Sequence, residues 1–163
     1  MQTANNEEIP LGRQEKQALI VSLRLLAATP KSRKALEKKL GAKGFDREVI
    51  GQTLDFMEGK GLLNDRLYAQ ALFQNLVHLR PSGRKRIAFE MKKKGVPQEL
   101  VEELIEKFPV EEERERALEL AREKQTRWCK LDAIRRRKKI YDFLARRGFD
   151  FTLAREVIEE IET

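Results

Sequence analysis

The sequence predicts an all-α protein built from three tandem three-helix repeats that form an elongated, curved solenoid-like body. Three observations carry this expectation. A marker of basic residue, glycine and apolar residue recurs at intervals of 51 and 53 residues, as Lys43-Gly44-Phe45, Lys94-Gly95-Val96 and Arg147-Gly148-Phe149. Each marker follows an apolar pair spaced i, i+4 (Leu36 and Leu40, Ile87 and Met91, Ile140 and Leu144), and a further apolar run opens five residues after each glycine, at Val49, Leu100 and Leu153. The composition, 37% charged and 40% hydrophobic, supports a core but lacks the β-branched, glycine-rich texture of a sheet protein. A fixed period implies units that bury their apolar faces against one another, and units of about fifty residues are marginal alone. Function is therefore to be sought on an extended surface and not in one pocket.

The elements follow from capping and periodicity. Residues 13–28 place Ala18, Val21, Leu25 and Leu26 on one side at helical spacing, and Thr29-Pro30 ends that helix. Ser32 is an N-cap residue for a second helix, which ends before Gly44 because a left-handed C′ position favours glycine. Asp46 opens a third helix carrying Val49, Ile50, Leu54 and Met57 and closed by Gly59 and Gly61. The second repeat echoes this: residues 68–79, a break at Pro81-Ser82-Gly83, a basic helix to Lys94, then Pro97 at the start of a helix reaching Phe108. The third has a longer first element over 111–128, a second over 132–147 and a last helix opened by Asp150 or Thr152, which makes nine helices. The expected division is a flexible tail over 1–14 and repeats over 15–64, 65–110 and 111–163.

Several function classes are excluded. Cys129 and His78 are the only residues of their kinds, so neither an internal disulfide nor a Cys/His zinc site is expected. No stretch approaches the roughly 18 apolar residues that would span a bilayer, and residues 1–14 hold no apolar export segment, which fits a cytoplasmic protein. The chain shows no Gly-rich phosphate loop, no nucleophile beside a base and no carboxylate cluster with metal spacing. Neither catalysis nor a cofactor is expected. His78 is read as a helix-end residue, Trp128 and Cys129 as packing or boundary residues, and Tyr68, Phe73 and Phe89 as core.

Charge segregation gives the functional lead. Residues 31–43, 80–94 and 130–147 hold 6, 7 and 8 basic residues, and these 21 are most of the 34 Lys and Arg in a chain of net charge +7. The acids gather elsewhere, as at Glu102, Glu106 and Glu119. A polyanionic partner is implied. Sliding the repeats over one another leaves three columns basic in every copy: Arg33, Arg84 and Arg137; Lys34, Lys85 and Lys138; Lys43, Lys94 and Arg147. The last suits the macrodipole at a helix C-terminus. The first two lie near helix starts in repeats one and two, where the dipole disfavours cations and free N–H groups offer a phosphate or carboxylate site. With Arg86, Lys93 and Arg146 from the same helices, these columns form the candidate binding set. Replacing Arg33, Lys34, Arg84, Lys85, Arg137 and Lys138 by Glu is expected to abolish partner binding and to leave folding intact.

Some residues also carry a family resemblance. Gly61-Leu62-Leu63-Asn64-Asp65-Arg66-Leu67-Tyr68-Ala69 is similar to a Gly-Leu-(hydrophobic)-Asp-Asp-x-x-(aromatic)-Ala segment of the RecX family, modulators of the RecA recombinase. Pro81-Ser82-Gly83, Arg86-Ile87, Glu90-Met91 and Lys94-Gly95-Val96 resemble that family's Pro-x-Gly, Arg-Ile, Glu-Leu and Lys-Gly-Ile series, and residues 137–149 its closing repeat. The likeness covers residues 16–161, with Asn64 in place of the first paired acid and Met91 in place of Leu. It implies a non-enzymatic protein that binds the groove of the RecA filament on single-stranded DNA and restrains ATP hydrolysis, strand exchange and the co-protease reaction, and the chain itself is expected to be monomeric. Two other readings stand beside it: a module that binds DNA or RNA directly, and a helical-repeat scaffold for proteins.

Overall fold

A computed structural model describes residues 11–79 and 81–162. Most of the expected tail, residues 1–10, lies outside them, as does Arg80. Among the described residues all regular structure is helical: α1 (Arg13–Ala28), α2 (Arg33–Gly41), α3 (Arg47–Gly59), α4 (Asp65–Leu79), α5 (Arg84–Lys93), α6 (Gln98–Glu106), α7 (Val110–Arg127), α8 (Ala133–Arg146) and α9 (Phe151–Glu162). The chain divides into two compact units, 1–65 and 66–163, so the second and third repeats share one unit.

The repeated marker is a helix-stop device. Gly44, Gly95 and Gly148 have φ of 87°, 81° and 82°. In each case the N–H of the following apolar residue reaches back to the carbonyl five residues earlier: Phe45 to Leu40 at 3.3 Å, Val96 to Met91 at 3.1 Å and Phe149 to Leu144 at 3.2 Å. The glycine N–H bonds to the carbonyl three residues earlier, at Gly41, Lys92 and Ala145. This double bond pattern is the Schellman motif, which satisfies carbonyls orphaned at the helix end and sets an apolar residue against the last turn. Helix starts are less uniform. The Ser32 hydroxyl accepts from the Ala35 N–H and the Asp132 carboxylate from the Arg135 N–H, whereas Asp46 sits at its N-cap position without a side-chain bond.

Each repeat has its own core, and the repeated apolar pair lies at its centre. Leu36 and Leu40, Ile87 and Met91, and Ile140 and Leu144 are all buried, in three separate clusters. In the first unit α1 and α2 pack on α3; in the second, α5 packs on α6, and α7 and α8 pack on α9. Ala18, Leu19 and Ser22 form the buried face of α1, with Val21, Leu25 and Leu26 partly buried beside it. Phe73 is core and Tyr68 packs against it, but Phe89 departs from the expectation: it is 57% exposed. Ile87 and Met91 take the inward face of α5, and a residue midway between them must point outward.

Within the second unit the C-terminus of α8 meets the N-terminus of α5 backbone to backbone. The Gly83 N–H donates to the Arg147 carbonyl at 2.9 Å, and the Lys85 N–H to the Gly148 carbonyl at 3.3 Å. A Cβ on Gly83 would lie 2.3 Å from the Gly148 oxygen, and one on Gly148 would lie 2.3 Å from the Arg86 nitrogen. The positive end of one helix is thereby satisfied by the negative end of another.

Candidate functional site

The three basic columns have different fates. In the first column each arginine pairs with acids of the chain itself. Arg33 holds Asp55 at 2.7 Å and Glu58 at 2.5 Å, while its backbone N–H donates to Asp65 at 2.7 Å. Burial works against the Arg33 charge, but the hydrogen bond to Asp55 and the charges of Glu58 and Asp55 outweigh it and raise its pKa. Burial pushes the Asp65 carboxyl above the usual range, opposed by the hydrogen bond from the Arg33 N–H.

Arg84 is held more completely. Its Nε donates to Glu113 at 2.7 Å and its backbone N–H to the other Glu113 oxygen at 2.8 Å; its Nη groups donate to the carbonyls of Ile105 and Phe108. The Glu113 side chain is only 8% exposed, and the Arg84 guanidinium also lies 5.5 Å from the centroid of the Phe108 ring. Arg137 faces Glu159 at 3.6 Å and Glu162 at 3.4 Å at the surface.

These contacts correct the sequence reading of the helix starts. A carboxylate site does exist at the N-termini of α2 and α5, as the dipole and the orphan N–H groups require. It is filled by the chain's own Asp65 and Glu113, and at α5 the Gly83 and Lys85 N–H groups are spent on α8. The acids also answer why a cation is tolerated at a helix start: each arginine lies beside the carboxylate that its own backbone N–H binds. The same contacts argue against the expectation that six Glu replacements leave folding intact. A carboxylate at position 84 would face Glu113, and one at position 33 would face Asp55 and Glu58.

Much of the remaining candidate set points outward. Lys34, Lys43, Lys93, Lys138 and Arg146 are exposed with no ion pair among the described residues. Lys94 is exposed at the end of α5. Lys85 pairs with Asp150 at 2.7 Å; that hydrogen bond raises the lysine and lowers the acid, with both groups in solvent. Arg86 bridges to Glu90 at 2.7 Å. Arg147 is half-buried, 5.3 Å from the Phe143 ring centroid, with Nη1 donating to the Pro81 carbonyl at 3.3 Å, so it serves the α5–α8 junction.

The acidic helix α6 is partly neutralised within the unit. Hydrogen bonds from Arg66 and Lys107 hold the Glu103 carboxyl down to about 2. Trp128 packs edge-on against Phe143 with Lys139 over its ring, a boundary residue of α7, and His78 lies in the last turn of α4, bonded to Gln74. Among the described residues no helix is long and apolar enough to cross a membrane, and no group of three or more His, Cys, Asp or Glu could hold a metal ion.

The comparisons with known proteins agree with one another. Residues 18–57, 64–105 and 111–158 match the models for the first, second and third three-helix domains of RecX. The chain is 33% identical over 142 residues to the regulatory protein RecX of Chlorobaculum tepidum, covering 87% of this chain and 86% of that one. It is 31% identical over 144 residues to that of Streptomyces coelicolor, covering 88% and 77%. A crystal structure of RecX from Lactobacillus salivarius superposes with a TM-score of 0.82 at 21% identity, over 91% of this chain and 97% of that one, which is evidence for the shared fold. Three consecutive domain matches in register with the three buried cores, and relatives of this identity over most of their length, place the chain in the RecX family of regulatory proteins.

Proposed function

We propose that this chain is a non-enzymatic, cytoplasmic regulator that binds as a monomer in the groove of the RecA filament on single-stranded DNA and inhibits ATP hydrolysis, strand exchange and co-protease activity during repair and recombination. Its repeats, divided at 15–64, 65–110 and 111–163, each present a second helix to the filament. The observation that carries the reading is the set of cations on or just beyond the second helices that have no ion pair among the described residues: Lys34 and Lys43, Lys93, and Lys138 and Arg146. The fold spends Arg33 and Arg84 on its own acids, yet every repeat keeps exposed positive charge on its second helix. Such charge carries electrostatic attraction to a polyanionic assembly.

The test follows from the separation of inward and outward cations. Replacing Lys34, Lys43, Lys138 and Arg146 together by Gln is expected to weaken filament binding and ATPase inhibition by about fourfold or more, since four exposed contacts are each worth roughly 0.2–1 kcal/mol. Melting followed by circular dichroism is expected to stay near the parent's. Glu106→Gln with Glu119→Gln serves as the control and retains inhibition. A quadruple variant that inhibits RecA as strongly as the parent would refute the reading.

A further inference from the structure

The second helix of the middle repeat carries something its counterparts lack. Phe89 is 57% exposed at the middle of α5, and the corresponding positions of the other repeats are Lys38 and Asp142. Ile87 and Met91 are fully buried, and at about 100° per residue they point nearly opposite Phe89. The residues that adjoin Phe89 on the helix surface are those three and four positions away. All four are basic: Lys85 and Arg86 one turn before, Lys92 and Lys93 one turn after.

The charged neighbours are specific. Arg86 lies 5.8 Å from the ring centroid and also holds Glu90, and Lys85 holds Asp150. Lys92 and Lys93 are exposed and have no ion pair among the described residues. An aromatic ring standing on a convex helix face, with a cation at each of its four helical neighbours, has a clear chemical complement. A protein side chain seeks a desolvated pocket with apolar walls, and burying this ring against a protein would strip water from the surrounding cations. Single-stranded nucleic acid offers a planar π-face for the ring and phosphates for the cations at the same time.

We infer that Phe89 is a base-stacking residue and that the outer face of α5, with Lys85, Arg86, Lys92 and Lys93, binds single-stranded nucleic acid directly. This rests on the reading of the second helices as the filament-facing surface and adds a contact to the bases that needs no RecA. Duplex bases are already stacked on one another, so the face favours single strands.

The experiment uses the full chain and a fluorescent oligo(dT) without RecA, followed by anisotropy across a salt series, with RecA ATPase inhibition measured in parallel. Phe89→Leu keeps an apolar side chain and removes the π-face. It is expected to bind about 5- to 150-fold more weakly, the range of one lost base stack, with the salt slope unchanged. Lys92→Gln with Lys93→Gln is expected to lower the magnitude of that slope by about 1.4. Phe89→Trp, placed in a Trp128→Phe background, is expected to retain binding and to lose tryptophan fluorescence as the oligonucleotide saturates it.

The inference is overturned if the parent fails to bind oligo(dT), if Phe89→Leu binds as the parent does, or if the tryptophan emission stays unchanged at saturation. Phe89→Leu that binds the oligonucleotide normally but no longer inhibits RecA would assign the ring to a protein partner instead. A parent that binds oligo(dT) through Phe89 yet leaves RecA hydrolysis unaltered would uphold the stacking site and sink the filament reading, so the two failures are distinct.

Discussion

Gly148→Ala is expected to destabilise the second unit by about 2–5 kcal/mol, from positive-φ strain of about 1–2 kcal/mol and overpacking of about 1–3 kcal/mol. Gly148 adopts φ of 82°, and its added methyl would lie 2.3 Å from the Arg86 nitrogen, 2.5 Å from the Arg86 Cβ and 2.8 Å from its Cα. Backbone cannot rotate away as a flexible side chain can. Relief requires α8 and α5 to separate, which breaks the bonds from Gly83 and Lys85 to the carbonyls of Arg147 and Gly148 at the end of α8. Gly44→Ala is the matched control: its φ is 87°, but nothing lies within 4 Å of the new methyl, so only strain of about 1–2 kcal/mol remains. Urea unfolding of both variants checks this. Equal losses at the two positions would show that conformation alone, and not the close approach, makes Gly148 necessary.

Glu113→Ala is expected to cost about 3–5 kcal/mol, the range for removing one partner of a buried ion pair. The change strands the Arg84 guanidinium among carbonyls and also deprives the Arg84 backbone N–H of its acceptor. Partial access of water to Arg84, whose side chain is 25% exposed, favours the lower end of the range. Glu58→Ala removes a partner of Arg33 that is itself 40% exposed and leaves Asp55 in place, so its expected cost is at most about 1 kcal/mol. Replacing both partners by apolar residues is the decisive comparison. Arg84→Met combined with Glu113→Leu should be more stable than Glu113→Ala, because a buried charge without its partner is worse than none. If Glu113→Ala melts like the parent, the pair is a surface decoration and the reading of α5 as internally capped fails.

Much of the first-column pairing was legible in the sequence in a form that composition hides. Asp55 and Glu58 follow Arg33 by 22 and 25 residues, and Glu159 and Glu162 follow Arg137 by the same distances. A column of acids at fixed offsets from a column of arginines is a sign of internal pairing, as informative as the basic column itself. In the middle repeat Glu106 occupies the first offset but Pro109 the second, and Arg84 turns to Glu113 instead. No spacing rule indicates that choice.

The helices, their stops and their cores follow from the order of residues along the chain. These depend on local chemistry: an i, i+4 apolar pair, a left-handed glycine and an apolar residue beyond it act within one turn, so the pattern of Leu40-Lys43-Gly44-Phe45 is enough to specify a helix end in each repeat. Packing between helices selects which charges meet an acid. Arg33, Lys34, Arg84 and Lys85 read alike along the chain, yet Arg33 and Arg84 are drawn to acids brought by later helices while Lys34 remains in water. It also decided that Phe89, which reads as core, stands outside, because Ile87 and Met91 compete for the one buried face of α5 and a helix of this pitch cannot bury all three. Ion-pair partners and the choice among competing faces depend on groups far apart in sequence, and only packing brings them together.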